Sequence, residues 1–164
     1  MEQIPVIGFS AYSGTGKTTL VEKLVRYLKA QGLRIAVIKH DAHDFEIDKQ
    51  GKDSWRFAQA GADVTLISSA AKTAVIEYRP CTFLQNLEKI RDVDLILVEG
   101  YKQEEFPRIG ICRKATGKGL PGAPQDYAAL VTDNETYLAD PALRCFGLDE
   151  VEQIAAFIRS IANV

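Results

Sequence analysis

Ala11-Tyr12-Ser13-Gly14-Thr15-Gly16-Lys17-Thr18 decides how this chain folds. A short apolar run, Ile4 to Phe9, leads into it, and a strongly helical stretch follows. The order is therefore strand, glycine-rich turn, helix, with Gly-Lys-Thr closing the turn. A phosphate chain needs this arrangement. Gly14 and Gly16 let the backbone bend so that several N–H groups point inward. The helix N-terminus adds unpaired donors and the positive end of its dipole. Lys17 reaches the β- and γ-phosphates, and the Thr18 hydroxyl can ligate Mg²⁺. One position departs from the strict G-x-x-x-x-G-K-[ST] pattern. Ala11 holds the first glycine place, which a methyl tolerates as long as φ stays negative.

Outward from this loop the chain alternates strands and helices. Leu20, Val21, Leu24, Val25 and Leu28 recur at helical spacing, and Gly32 supplies a stop. Ile35 to Ile38 reads as a strand ending at Lys39-His40, and residues 41–53 as a polar loop. Asp53 or Ser54 is expected to cap a short helix closed by Gly61. Val64 to Ile67 and Ala74 to Tyr78 are strand candidates, and Thr82 with Gln85 forms a capping box. Val93 to Val98, Ile109 to Cys112, Tyr127 to Val131 and a weak Arg144 to Phe146 complete the strands. Residues 114–126 should be a mobile loop. A second capping box, Asp149 with Glu152, is expected to open the last helix. This alternation implies a three-layer α/β fold of the P-loop NTPase type: a mostly parallel sheet with helices on both faces. The 164 residues suit a single nucleotide-binding domain over 1–164.

Composition removes several function classes. Net charge is −2 with no basic block, so bulk electrostatic nucleic-acid binding is not expected. No stretch is long enough to span a bilayer, and no signal peptide is expected at the start of the chain. Cys81, Cys112 and Cys145 are odd in number and far apart, which suits a reducing cytoplasm.

Ligands in such sheets sit beyond the carboxyl ends of the strands, so polar residues just after apolar strands rank first. Glu99 ends the most apolar strand and is followed by Gly100. A carboxylate there can hold Mg²⁺ or orient a water for attack on the γ-phosphate. Lys39-His40-Asp41-Ala42-His43-Asp44-Phe45-Glu46-Ile47-Asp48 follows another strand and contains both histidines of the chain. It reads as a mixed His/Asp metal site, as a γ-phosphate-sensing switch loop, as an acceptor surface, or as a solvated loop. Lys52 and Arg56 are available to a second anionic group.

Three segments together resemble the molybdopterin-guanine dinucleotide biosynthesis protein B family. They are Ser13-Gly14-Thr15-Gly16-Lys17-Thr18-Thr19-Leu20, then Lys39-His40 through Gly51-Lys52-Asp53-Ser54 with Ala60-Gly61-Ala62, then Asp94-Leu95-Ile96-Leu97-Val98-Glu99-Gly100-Tyr101-Lys102. Ala11 also fits that family. The resemblance implies a small, dimeric GTP-binding protein with slow hydrolysis. It assists the nucleotidyltransferase (protein A of the pathway) that joins GMP from GTP to molybdopterin. On that reading Lys17 and the backbone of Ser13 to Thr19 hold the phosphates, and Thr18 and Glu99 hold Mg²⁺. Asp44 and Asp48 add to the metal or sense the γ-phosphate, while Lys39, His40, Lys52 and Arg56 face the pterin phosphate or the partner enzyme. The Asn-Lys-x-Asp guanine signature is absent, but Asp133 follows a strand and can accept hydrogen bonds from guanine N1 and N2. Three rivals stand beside this reading: an ATP-dependent small-molecule kinase with a lid of Arg108, Arg113, Lys114 and Lys118; a metallochaperone-type GTPase using His40 and His43; and a non-catalytic adaptor.

Overall fold

The computed structural model describes residues 3–40 and 45–164. Two compact units divide the chain: Met1–His40 with Ile90–Val164, and Asp41–Lys89.

The first unit opens with β1 (Val6–Ser10), α1 (Lys17–Ala30) and β2 (Ile35–Lys39). The second unit holds α2 (Asp53–Gln59), the hairpin β3 (Val64–Ser68) and β4 (Thr73–Glu77), and α3 (Phe83–Leu87). The first unit resumes with β5 (Leu95–Glu99), β6 (Arg108–Cys112), β7 (Ala129–Thr132), α4 (Glu135–Leu138), β8 (Cys145–Phe146) and α5 (Val151–Ala162). Its six strands form one sheet in the order β2-β5-β1-β6-β7-β8, with every pairing parallel. The expected α/β architecture with a mostly parallel sheet is what the chain adopts.

Burial explains the strand sequences. Leu95, Ile96, Leu97 and Val98 are all buried, as parallel strands covered on both faces require. On one face Ile7, Phe9, Leu97, Ile109 and Ile111 meet α1 through Leu20, Leu24 and Leu28, and α5 through Ile154 and Ile158. Each fully buried leucine or isoleucine here contributes about 1.5–3 kcal/mol of transfer free energy. The opposite face is approached closely by the connections that follow β5 and β6. A Cβ on Gly8 would overlap the Phe106 ring, and one on Gly110 would stand 2.9 Å from both Tyr127 and Leu130. Glycine at these two places lets aromatic side chains lie directly on the strands.

Local signals are mostly honoured. Thr82 and Gln85 form their reciprocal capping box. Gly32 and Gly61 follow α1 and α2 with positive φ. Three details differ. The N-cap of α2 is Lys52, with no side-chain cap bond. The Asp149–Glu152 box does not form: α5 starts after Glu150, whose Oε2 accepts from the Gly147 N–H, and Asp149 pairs with Lys23 at 3.0 Å. The connection after β6 carries two 3-10 turns, Lys114–Thr116 and Pro124–Asp126, and an Arg113–Lys118 bridge. Glycine and proline set the turn chemistry there while polar side chains close the turns.

Asp94 closes the far end of β5. Its carboxylate accepts from the Arg34 backbone N–H at 2.7 Å and from the Arg34 guanidinium at 2.7 and 3.2 Å. Arg34 holds the Asp94 carboxyl down, from 3.8 to about 2. The sign follows from linkage. A depressed folded-state value adds stability that is fully present above pH 3.8 and is lost as pH falls through about 2. Asp94→Asn should therefore remove part of the acid sensitivity between those values, read by thermal unfolding of both proteins from pH 5 to pH 2. Parallel pH profiles would contradict it.

Candidate functional site: a phosphate loop facing a carboxylate

Beyond the carboxyl end of β1 the chain turns sharply through Gly14, φ 81°, and Gly16, φ 94°. Both values lie in the left-handed region that only glycine adopts freely. Thr15 is buried and its hydroxyl donates to the Tyr12 carbonyl at 2.6 Å, bracing the turn from inside. Ala11 is also buried. Among the described residues the non-glycine positions with positive φ are Asp92, Tyr101 and Asn163, so Ala11 needs no left-handed backbone. Gly16 is the N-cap of α1, with no side-chain cap bond and no acid in the first turn. The first-turn N–H groups of α1 are thus left for an anion. The residues fit a phosphate chain, and a Cβ on Gly14 would stand in open space with nothing within 4 Å.

Lys17 and Glu99 come together here. The Lys17 ammonium lies 3.1 Å from Glu99 Oε1, with side chains 20% and 18% exposed. The parallel β1–β5 register pairs Phe9 with Glu99, which places that carboxylate level with the start of the loop. The exposed Thr18 follows Lys17 in the first turn of α1. A hydroxyl and a carboxylate are the hard oxygen donors Mg²⁺ takes.

The backbone after Glu99 is fastened tightly. Gly100 has φ 98°, and Tyr101 has φ 49°. His40 N–H donates to the Glu99 carbonyl at 2.8 Å, and the His40 ring stacks on Tyr101 at 4.3 Å between centroids. Arg108 donates to the carbonyls of Gly100, Tyr101 and Glu104, and its guanidinium lies 4.1 Å over the Phe106 ring. Burial pushes the Arg108 guanidinium down from its ordinary value. The sequence offers Arg108 only as a lid residue, whereas here it holds the segment that carries Glu99. A lone arginine at a strand start gives no sequence signal for this task.

The other expected site residues are placed as follows. Asp133 follows β7 and its Oδ1 accepts from the Lys114 backbone N–H at 2.7 Å. Asp48 lies in the second unit, where its Oδ1 accepts from the Lys49 N–H and the Ser54 hydroxyl and its buried Oδ2 has no partner among the described residues. Lys52 and Arg56 also belong to that unit, and Arg56 approaches Asp53 at 3.8 Å. Asp44 and His43 lie outside the described residues. Among the described residues there is no group of three or more His, Cys, Asp or Glu that could hold a metal ion.

The fold and the loop at its sheet edge define a P-loop NTPase-like α/β protein. The comparisons make this specific. The family described as Molybdopterin guanine dinucleotide synthesis protein B (MobB) matches residues 6–133, and the chain belongs to that family. The molybdopterin-guanine dinucleotide biosynthesis adapter protein of Haemophilus influenzae is 39% identical over 162 residues, covering 96% of this chain and 89% of the relative. The adapter protein of that name in Escherichia coli is 37% identical, covering 94% and 91%. The crystal structure of Bacillus subtilis MobB superposes with a TM-score of 0.73 at 25% identity, over 93% of this chain and 97% of that one. A crystal structure of molybdopterin-guanine biosynthesis protein B gives 0.69 at 27% identity, over 95% and 99%.

Proposed function

We propose that this protein is a Mg²⁺-dependent GTP-binding adapter in the formation of molybdopterin guanine dinucleotide. It hydrolyses GTP slowly and serves the nucleotidyltransferase that joins GMP to molybdopterin. The observation that carries the nucleotide reading is the 3.1 Å approach of Lys17 to Glu99 beside two left-handed glycines. The family membership and the relatives' names support the pathway.

In this reading the backbone N–H groups from Ser13 to Thr19 and the Lys17 ammonium bind the phosphates. Phosphate oxygens compete with Glu99 for Lys17, which frees the carboxylate. Thr18 and Glu99 then hold Mg²⁺, which neutralises phosphate charge when bound. Asp44 and Asp48 are further candidates for that metal or for sensing the γ-phosphate. Lys39 and His40, at the carboxyl end of β2, and Lys52 and Arg56 offer cationic and ring contacts to the pterin phosphate or to the partner. No helix among the described residues is long and apolar enough to cross a membrane.

Asp133 selects guanine. One carboxylate oxygen is held by the Lys114 N–H, which fixes the other for the N1 and N2 donors that adenine lacks. Asp133→Asn should erase the preference for GTP over ATP, measured by competitive titration. An unchanged preference would sink this assignment.

The protein acts as a homodimer. A two-stranded sheet is marginal by itself, and the β3–β4 hairpin exposes Val64, Leu66, Ile67 and Val75. A second copy can cover this apolar surface and its open edges. Sedimentation equilibrium checks it, a monomer at micromolar concentration being the contrary result.

The direct test of the pathway role is dinucleotide yield from molybdopterin, GTP and the purified nucleotidyltransferase. Adding this protein should raise the yield, and adding the Lys17→Ala variant should not. Equal yields with and without the protein would overturn the role.

A further inference from the structure

Four cations run from the start of β6 into the connection after it: Arg108, Arg113, Lys114 and Lys118. Three are engaged. Arg108 holds the carbonyls after Glu99. Lys114 Nζ pairs with Glu135 at 3.1 Å. Lys118 Nζ donates to the Ser13 carbonyl of the phosphate loop at 3.0 Å. Among the described residues nothing engages the Arg113 guanidinium by hydrogen bond or ion pair. It nonetheless lies against the loop: its central carbon is 3.9 Å, and Nη1 4.0 Å, from where a Cβ on Gly16 would stand.

The backbone that aims this side chain is fixed. Arg113 is the first residue beyond β6 and bridges to Lys118. Its carbonyl accepts from both the N–H and the hydroxyl of Thr116. The side chain lines a cleft together with Gly16, Thr19, Lys23, Val131, Leu148 and Asp149.

Sheet order decides which end of a bound nucleotide this cation meets. β5 and β6 flank β1 on opposite sides, so Glu99 and Arg113 stand on opposite sides of the phosphate loop. On the GTP-binding reading Lys17 and Glu99 would take the metal-bearing, γ-phosphate end, which puts it on the β5 side. The nucleoside end then runs towards β6, β7 and Asp133. We infer that Arg113 is a nucleotide-binding residue for the nucleoside end, its guanidinium fork engaging the α-phosphate. A planar, permanently charged fork suits two phosphate oxygens. This rests on the GTP-binding reading above and adds a residue and a direction to it.

The test is competitive titration of wild type, Arg113→Ala and Arg113→Lys with GTP, GDP and GMP. Arg113→Ala should weaken all three by a similar factor, about ten-fold or more, because all three carry the α-phosphate. Arg113→Lys should recover part of the loss, which a purely structural role would not give. A loss confined to GTP would place the guanidinium at the γ-phosphate and overturn the inference. So would unchanged affinities in Arg113→Ala while wild type binds all three. A wild-type protein that binds no guanine nucleotide overturns the GTP-binding reading itself, a result distinct from either.

Discussion

Replacing Lys17 by alanine should weaken GTP binding by about 100-fold, or about 2.7 kcal/mol. Two effects add. The ammonium is lost from a site only 20% exposed, where a charge-assisted bond to phosphate is worth about 1.5–3 kcal/mol. Its partner Glu99, 18% exposed, is left unpaired and repels the phosphate chain that should enter beside it. The second effect has its own signature: adding Glu99→Gln to Lys17→Ala should restore part of the affinity measured without Mg²⁺. Isothermal titration reads both. A change below about three-fold in the single variant would show that Lys17 holds Glu99 and not the nucleotide.

Gly100→Ala should destabilise the fold by about 3 kcal/mol or more and weaken nucleotide binding as well. The left-handed φ of 98° alone costs a β-carbon about 1–3 kcal/mol. The new Cβ would also stand 2.8 Å from the His40 carbonyl oxygen and 2.9 Å from the His40 Cβ. That backbone cannot step aside cheaply, because the His40 N–H is bonded to the Glu99 carbonyl and the His40 ring is stacked on Tyr101. Relief of the clash therefore moves the residue that faces Lys17. Urea unfolding together with GTP titration measures the paired losses. A stability change under about 1 kcal/mol would contradict this, since strain of this kind starts near that value.

The parts of the fold that were legible in sequence are those set by local chemistry. The phosphate loop, the helical spacing of Leu20, Leu24 and Leu28, the all-apolar Leu95 to Val98 and the Thr82–Gln85 box each carry their own signal. Glu99 was reachable because it ends a buried strand. Arg113 obeys the same rule, standing just past β6, yet nothing in a solvent-facing arginine among other cations announces that its guanidinium has no partner among the described residues. That distinction depends on Lys118 reaching Ser13, 105 residues away in the chain. Arg108 is a similar case, since its task depends on where the Gly100–Glu104 carbonyls turn. The Asp149–Glu152 pattern misled because α5 begins one residue later, with Glu150 at its N-cap, and Asp149 pairs with Lys23 of α1.

Equilibrium titration of the purified protein with GTP and with ATP, each in the presence of Mg²⁺, tests most directly whether this phosphate loop serves a guanine nucleotide. GTP should bind with clear preference over ATP, and the binding should require Lys17. Equal or tighter binding of ATP would contradict the adapter reading and turn the search towards a phosphoryl acceptor.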